Sequence, residues 1–271
     1  MFEFHKKEKP FLGIAGFGGG VSSKLIRRGS SIVTSGLILN LDAGNASSYP
    51  GSGTTWYDLS GSGYNATLVN GASYSSSNGG IIYLSGDTNP GGASNSPHIS
   101  FSTAILSGRS ELSVGMWVYL NSGNSGGNYW AEGGTLTTGS FPQTWWQFNL
   151  ISTNNWYTRD SSTGETGSRN NDLNINYVSA NTWTYITAVY SVSSSIKAFY
   201  VNGSLKSSTS TSIDALTTGR NPFQSFIGRP TDTDSSTDNY LNGYISNVQV
   251  YNRAISTSEM LQNYNVFLSR F

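Results

Sequence analysis

The chain has 271 residues, no cysteine and two histidines, and its fifteen basic residues equal its fifteen acidic ones. The absence of cysteine excludes disulfide scaffolds, cysteine-ligated zinc and thiol nucleophiles. Balanced charge argues against nucleic acid as the main partner, and no apolar run approaches the ~20 residues that membrane insertion requires. Only 11% of the residues are charged, whereas 32 are glycine and 13% are aromatic, which suits strands and turns.

Residues 1–35 are predicted to form an extended, glycine-rich basic arm. Residues 1–34 hold six basic and two acidic residues, so the arm is basic and the body that follows is acidic. FLGIAGFGGG at 11–20 has too many glycines for helical or strand periodicity. A flexible tail, a secretory leader and a phosphate-binding loop are the alternatives. The glycines interrupt a leader's apolar region, and Lys24 follows Ser22 and Ser23, whereas the loop needs its lysine before the serine or threonine.

The arm also carries spaced phenylalanines. We expect them to act as apolar anchors that dock the arm on an assembly partner, while the glycines let the backbone lie flat on that partner. These anchors are Phe2, Phe4, Phe11 and Phe17.

From residue 36 to 271, short apolar runs bounded by turn residues predict one antiparallel all-β sandwich. Alternation places Trp183, Tyr185 and Val189 on one face of their strand. Asn202-Gly203 predicts a tight hairpin turn. The predicted strands are 36–42, 81–84, 111–120, 144–151, 173–178, 182–190, 195–201, 224–228 and 244–251.

One short helix is predicted near the end of the sequence. Ser256 and Glu259 form a capping box, and apolar residues follow at helical spacing. No strand–helix alternation occurs, which argues against a parallel α/β sheet.

Four blocks of the sequence resemble the laminin-G-like, concanavalin-A-like jelly-roll family of lectins and glucanases. They are GLILNLDAGNASSYPGSGTTWYDLSGSGYNATLVNG (36–71), SELSVGMWVYL (110–120), NTWTYITAVYSVSSSIKAFYVNGSL (181–205) and FIGRP…YLNGYISNVQVYNRAISTSEMLQNY (226–264). The first block is similar to the opening of this domain in bacteriophage and bacterial surface proteins. The resemblance implies a jelly roll over about residues 36–266, and it does not settle function.

The glucanase relatives carry E-x-D-x-x-E on one strand, because sugar hydrolysis needs two carboxylates flanking the bond. None of the six glutamates here has an aspartate two residues later. His5 lies in the arm and His98 is isolated, which leaves little material for a serine–histidine or histidine-ligated metal site. We therefore expect no catalytic residues.

Two binding sites are predicted from residue types. Asp232, Asp234 and Asp238 in DTDSSTD offer oxygen ligands for calcium, and a solvated acidic loop is the alternative. No other cofactor is expected.

Sugar binding is predicted at aromatic residues in the middle of the chain, because aromatic rings stack on the C–H surfaces of sugars. The candidate platform is Trp130, Trp156 and Tyr157. Trp56, Trp117 and Trp183 are instead assigned to packing.

Taken together, these features predict a non-enzymatic structural protein of a tailed bacteriophage virion. The arm would dock on other virion proteins of the capsid or tail, and the jelly roll would be displayed as a decoration or a host-adhesion knob, in a homo-oligomer. A lectin module that binds surface glycans is the alternative, and a glycan-cleaving enzyme of the same fold is the second alternative. No nucleic acid or membrane partner is expected.

Overall fold

The computed structural model describes residues 31–86, 96–123, 127–134, 146–152, 155–160, 168–210, 223–231 and 240–271. Within these ranges two antiparallel sheets of eight strands each pack face to face around one apolar core, which confirms the predicted all-β sandwich. Within the same ranges, no helix is long and apolar enough to cross a membrane.

Sheet A has the strand order β14-β13-β12-β7-β16-β5-β4, and β1 pairs with β16 beside β5. Its strands are β1 (Leu37–Asp42), β4 (Ser73–Ser75), β5 (Ile81–Ser85), β7 (Glu111–Leu120), β12 (Thr184–Ser191), β13 (Ile196–Val201), β14 (Ser204–Thr209) and β16 (Asn242–Tyr251).

Sheet B has the strand order β11-β10-β9-β8-β15-β6-β3-β2. Its strands are β2 (Thr55–Trp56), β3 (Ala66–Val69), β6 (His98–Phe101), β8 (Asn128–Gly134), β9 (Trp146–Ile151), β10 (Asn155–Asp160), β11 (Ser168–Asn174) and β15 (Phe223–Ile227).

One predicted strand is mostly wrong. The strand predicted at 173–178 ends at Asn174, because local hydrogen bonds replace the ladder after it. The Asn174 side chain accepts from the backbone N–H of Asn176, and the N–H of Tyr177 donates to the carbonyl of Ile175. The apolar Ile175 and Val178 still reach the core, from irregular backbone.

Part of the outer face of sheet A is covered by α1 (Thr257–Phe267). Its capping box is confirmed, since the Ser256 side chain accepts from the backbone N–H of Glu259 and the Glu259 side chain accepts from the N–H of Ser256. Tyr185 and Val189 of β12 lie in the clusters under this helix, while Ile186 and its inward neighbours join the core between the sheets. This confirms the predicted alternation and explains why β12 is buried on both faces.

Val33 is fixed to α1 and β16 by a buried polar network, and the Gln262 side chain donates to the carbonyl of Ser31 at 2.7 Å. The Asn263 side chain accepts from the backbone N–H of Val33 at 2.9 Å and donates to the Tyr251 hydroxyl at 2.8 Å. That hydroxyl donates to the carbonyl of Val33 at 3.0 Å. Residues 31–33 therefore belong structurally to the body.

Candidate functional site

Four aromatic side chains form a row across the part of sheet A that α1 leaves open. Tyr244 on β16 pairs with Tyr83 on β5 and with Tyr119 on β7. Trp183 immediately precedes β12, in register with Tyr119. Residues in register across neighbouring strands point to the same face, so the four side chains stand side by side. We call Trp183, Tyr119, Tyr244 and Tyr83 the aromatic row.

Each ring of the aromatic row contacts its neighbours, and the Trp183 ring also lies close to the Tyr244 ring. The ring centroids are 5.6 Å apart for Trp183 and Tyr119, 5.6 Å for Tyr119 and Tyr244, and 4.9 Å for Tyr244 and Tyr83. The Trp183 and Tyr244 centroids are also only 6.4 Å apart, so three of the rings form a compact triangle and Tyr83 extends it on one side. All four side chains are partly exposed, so together they present a continuous apolar patch to solvent.

The aromatic row forms the floor of a cleft of about 450 Å³. Small polar side chains line one side of it: Ser73 and Ser75 of β4, and Ser77 and Asn78 of the 3₁₀ turn Ser77–Gly79. Ser73 pairs with Tyr83, so β4 continues the row outward by one strand. Ile81 completes the lining. Apolar surface and hydrogen-bonding groups therefore meet in one concave site.

Several polar groups of the cleft are free to meet a ligand. Among the described residues, the phenol oxygens of Tyr83, Tyr119 and Tyr244, the indole N–H of Trp183 and the side chains of Ser73 and Asn78 make no hydrogen bond. By contrast, the Ser75 hydroxyl is occupied, because it donates to Ser77. The free groups include both donors and acceptors.

Phe271 packs against the Trp183 end of the row. The Phe271 ring lies 4.4 Å from the Trp183 ring and 4.5 Å from the Trp117 ring, centroid to centroid. The neighbouring Arg270 binds both carboxylate oxygens of Asp42, at 2.6 and 2.8 Å. A bidentate pair of this kind fixes the orientation of the guanidinium as well as pairing its charge, so it helps to hold the neighbouring Phe271 in place.

The sequence-based sugar platform is wrong for its two tryptophans. Trp130 on β8 and Trp156 on β10 are both 0% exposed, so neither ring has a free face for a sugar. Trp130 packs against Phe101, and the Lys197 ammonium lies 4.8 Å from the centroid of Trp156. The side chain of Tyr157 lies outside the described part of the structure.

The assignment of three other tryptophans to packing is confirmed for two of them. Trp56 and Trp117 are buried, at 0% and 2% exposure, but Trp183 is partly exposed and lines the cleft. The signal that could have found the site is alternation. Ile82 and Leu84 point into the core, which directs Tyr83 outward.

The described carboxylates near strands have structural partners. Glu132 on β8 is fully buried and accepts from the backbone N–H groups of Ile105, Leu106 and Ser107 and from the Ser225 hydroxyl. Burial raises the pKa of its carboxyl, and these hydrogen bonds oppose that shift. Glu132 therefore ties the 105–107 turn to sheet B.

The other two described glutamates are also engaged. Glu111 accepts from the hydroxyls of Ser191 and Ser193 at 2.9 and 2.6 Å. Glu259 pairs with Arg253 at 2.5 Å, and this guanidinium lowers the pKa of Glu259 to about 2. Both glutamates therefore make structural contacts, Glu111 with the end of β12 and Glu259 with Arg253.

Two sets of predicted residues lie outside the described ranges. They are the calcium candidates Asp232, Asp234 and Asp238 and the arm anchors Phe2, Phe4, Phe11 and Phe17. Within the described ranges, no group of three or more His, Asp or Glu side chains could hold a metal ion. The calcium site and the anchors stay predictions.

Comparison with protein families gives a match over residues 91–260 to the model described as the concanavalin A-like lectin/glucanases superfamily. The chain belongs to this superfamily. The match covers more than half of the sequence and agrees with the two-sheet architecture, so the predicted concanavalin-A-like fold is confirmed. A search of curated proteins found no match.

Solved structures from the same fold include binding domains and enzymes. Domain 4 of AbnA, a GH43 arabinanase of Geobacillus stearothermophilus solved with arabinotriose, has a TM-score of 0.54 at 16% identity and covers 83% of this chain and 96% of its own. The receptor-binding domain of botulinum neurotoxin type G has a TM-score of 0.53 at 17% identity, covering 86% of this chain. A Trypanosoma rangeli sialidase has a TM-score of 0.50 at 14% identity, also covering 86%.

The match spans about half of the toxin domain and a third of the sialidase chain, at 51% and 33%. At these identities the likeness shows the fold alone. Superfamily membership therefore leaves both binding and catalysis open, and the chemistry of the cleft has to discriminate between them.

Proposed function

We propose that this domain binds carbohydrate in the cleft on sheet A without cleaving it. The observation that carries the proposal is the aromatic row, in register over four strands and bordered by free hydroxyl, amide and indole groups. Aromatic rings bury the C–H surfaces of sugars, and a few fixed polar groups orient the hydroxyls. The presence of arabinotriose in the similar arabinanase domain supports sugar binding on this fold.

The lining of the cleft favours binding over hydrolysis. All nine lining residues are serine, asparagine, isoleucine, tyrosine or tryptophan, so the cleft itself offers no carboxylate. Glycoside hydrolysis generally uses one carboxyl group as the acid and a second as the base or nucleophile. The described glutamates are held elsewhere by structural partners.

The test is to truncate two rings of the row in the full chain. Trp183→Ala and Tyr244→Ala should each weaken binding to neutral polysaccharides, such as arabinan and xylan in affinity gel electrophoresis, by about tenfold or more. Tyr57→Ala and Tyr177→Ala are matched controls, because these tyrosines are 45% and 41% exposed but do not line the cleft.

Binding that persists unchanged in both row variants would overturn the proposed site. Release of new reducing ends from a bound polysaccharide, abolished by the same variants, would overturn the non-catalytic part of the proposal.

We further propose, as the sequence predicts, that the protein serves in a tailed bacteriophage virion, with the arm docked on other virion proteins and the sugar-binding cleft displayed. The support is the basic arm and the fixed start of the body at residues 31–33. A chain lacking residues 1–30 should keep its melting temperature and its glycan binding but lose incorporation into particles. Unchanged incorporation would contradict the docking role of the arm.

A further inference from the structure

We propose that the cleft selects neutral glycans and rejects glycans that carry carboxylate, sulfate or phosphate groups. The inference rests on the proposed function and names the ligand class of the same site. Its basis is the set of groups that a ligand would meet: three phenols, one indole, small hydroxyls, one amide and one isoleucine, none of them charged.

Among the described residues, Arg270 is a basic residue that lies close to the cleft, and its charge is already paired. Its aliphatic stem lies against the turn that carries Asn78, since a Cβ added to Gly79 would be 3.3 Å from Arg270 Cδ. Its guanidinium is bound through two hydrogen bonds to Asp42, whose Oδ1 also accepts from the backbone N–H of Gly44 at 2.9 Å. The positive charge is thus neutralised by a fixed partner.

An anionic sugar would therefore lose hydration in the cleft without gaining an ion pair. Part of its surface would face Ile81 and the rings of the aromatic row, where an unpaired charge is costly. A neutral sugar needs only hydrogen bonds, which the free phenols, Ser73 and Asn78 can supply.

The experiment uses pairs of oligosaccharides that share a backbone and differ only in charge. Suitable pairs are methyl-esterified against free-acid trigalacturonate, and cellotriose against its uronic acid counterpart. Isothermal titration calorimetry with the full chain should show that the neutral member binds at least about tenfold more tightly, and that its affinity does not change between low and high salt.

A charge-gain variant gives an independent readout. Ser73→Lys places a cation at the exposed edge of the cleft and should create salt-sensitive binding of the acidic members, whereas the matched control Ser73→Gln should not. Failure of Ser73→Lys to improve binding of any acidic member would contradict the inference that a missing cation sets the selectivity.

The outcomes separate the two proposals. If an acidic member binds as tightly as its neutral partner and Trp183→Ala abolishes that binding, the selectivity is wrong and the sugar-binding site stands. If no glycan of either kind binds in a way that depends on Trp183, the site and its selectivity fall together.

Discussion

The buried carboxylate of Glu132 gives the sharpest test of how this sandwich is held together. Its side chain is 0% exposed and its two oxygens serve the backbone N–H groups of Ile105, Leu106 and Ser107 as well as the Ser225 hydroxyl. Glu132→Ala would remove the carboxylate acceptor of the Leu106 and Ser107 N–H groups, whereas the Ile105 N–H keeps the Ser225 hydroxyl as an acceptor at 3.1 Å. At about 1–3 kcal/mol for each of these two buried donors, the free energy of unfolding should fall by roughly 2 kcal/mol or more.

Glu132→Gln is a milder change at the same position. The glutamine keeps one acceptor oxygen but turns an NH₂ group toward donors, so we expect a loss of about 1–3 kcal/mol. Urea unfolding measures both variants, with midpoints ordered wild type, Gln, Ala and with similar slopes. Because Glu132 lies on sheet B, away from the cleft on sheet A, glycan binding by folded Glu132→Gln should be unchanged.

A Glu132→Ala chain that unfolds within about 1 kcal/mol of the wild type would refute the assigned role of these hydrogen bonds, because a single unsatisfied buried donor would cost that much. A Glu132→Gln chain that is fully stable but has lost a glycan-cleaving activity would refute the structural reading of this residue altogether.

Three further predictions concern pH, packing and capping. Burial lowers the pKa of His98 from 6.5 to about 4, so between these pH values the unfolded chain binds more protons than the folded one. The free energy of unfolding should therefore fall by up to about 3 kcal/mol as the pH drops through this window. The melting temperature of His98→Gln should not show this pH dependence. Gly115→Ala should lower the melting temperature, because the added Cβ would lie within 2.4 Å of the buried Tyr185 hydroxyl; an unchanged melt would contradict this. Ser256→Ala should cost about 1 kcal/mol in urea unfolding, whereas Ser256→Asp, which can also cap, should cost less.

Alternation within single strands predicted the fold well. In β12 it assigned the faces correctly, and in α1 the capping box fixed the start of the helix. It failed at 175–178, where buried Ile175 and Val178 imitate a strand although the backbone turns.

The site could not be predicted in the same way, because its parts come together only through strand order. Tyr83, Tyr119, Trp183 and Tyr244 lie in separate segments, and the pairing of β16 with both β5 and β7 brings them into one row. The sequence of any one of these segments does not indicate which strands will be its neighbours in the sheet. Trp130 and Trp156 stand near polar residues in the sequence, but both lie on strands whose side chains are buried here.

The position of β16 has a consequence for how the chain reaches this structure. Leu37 pairs with Tyr251, and β16 also pairs with β5 and β7. The strands β1, β5 and β7 can therefore gain their common partner only after residue 251 has been synthesised. Such long-range pairing slows folding and leaves apolar strand edges open in the meantime. Nascent chains that have not yet formed β16 should therefore aggregate more readily than the folded protein.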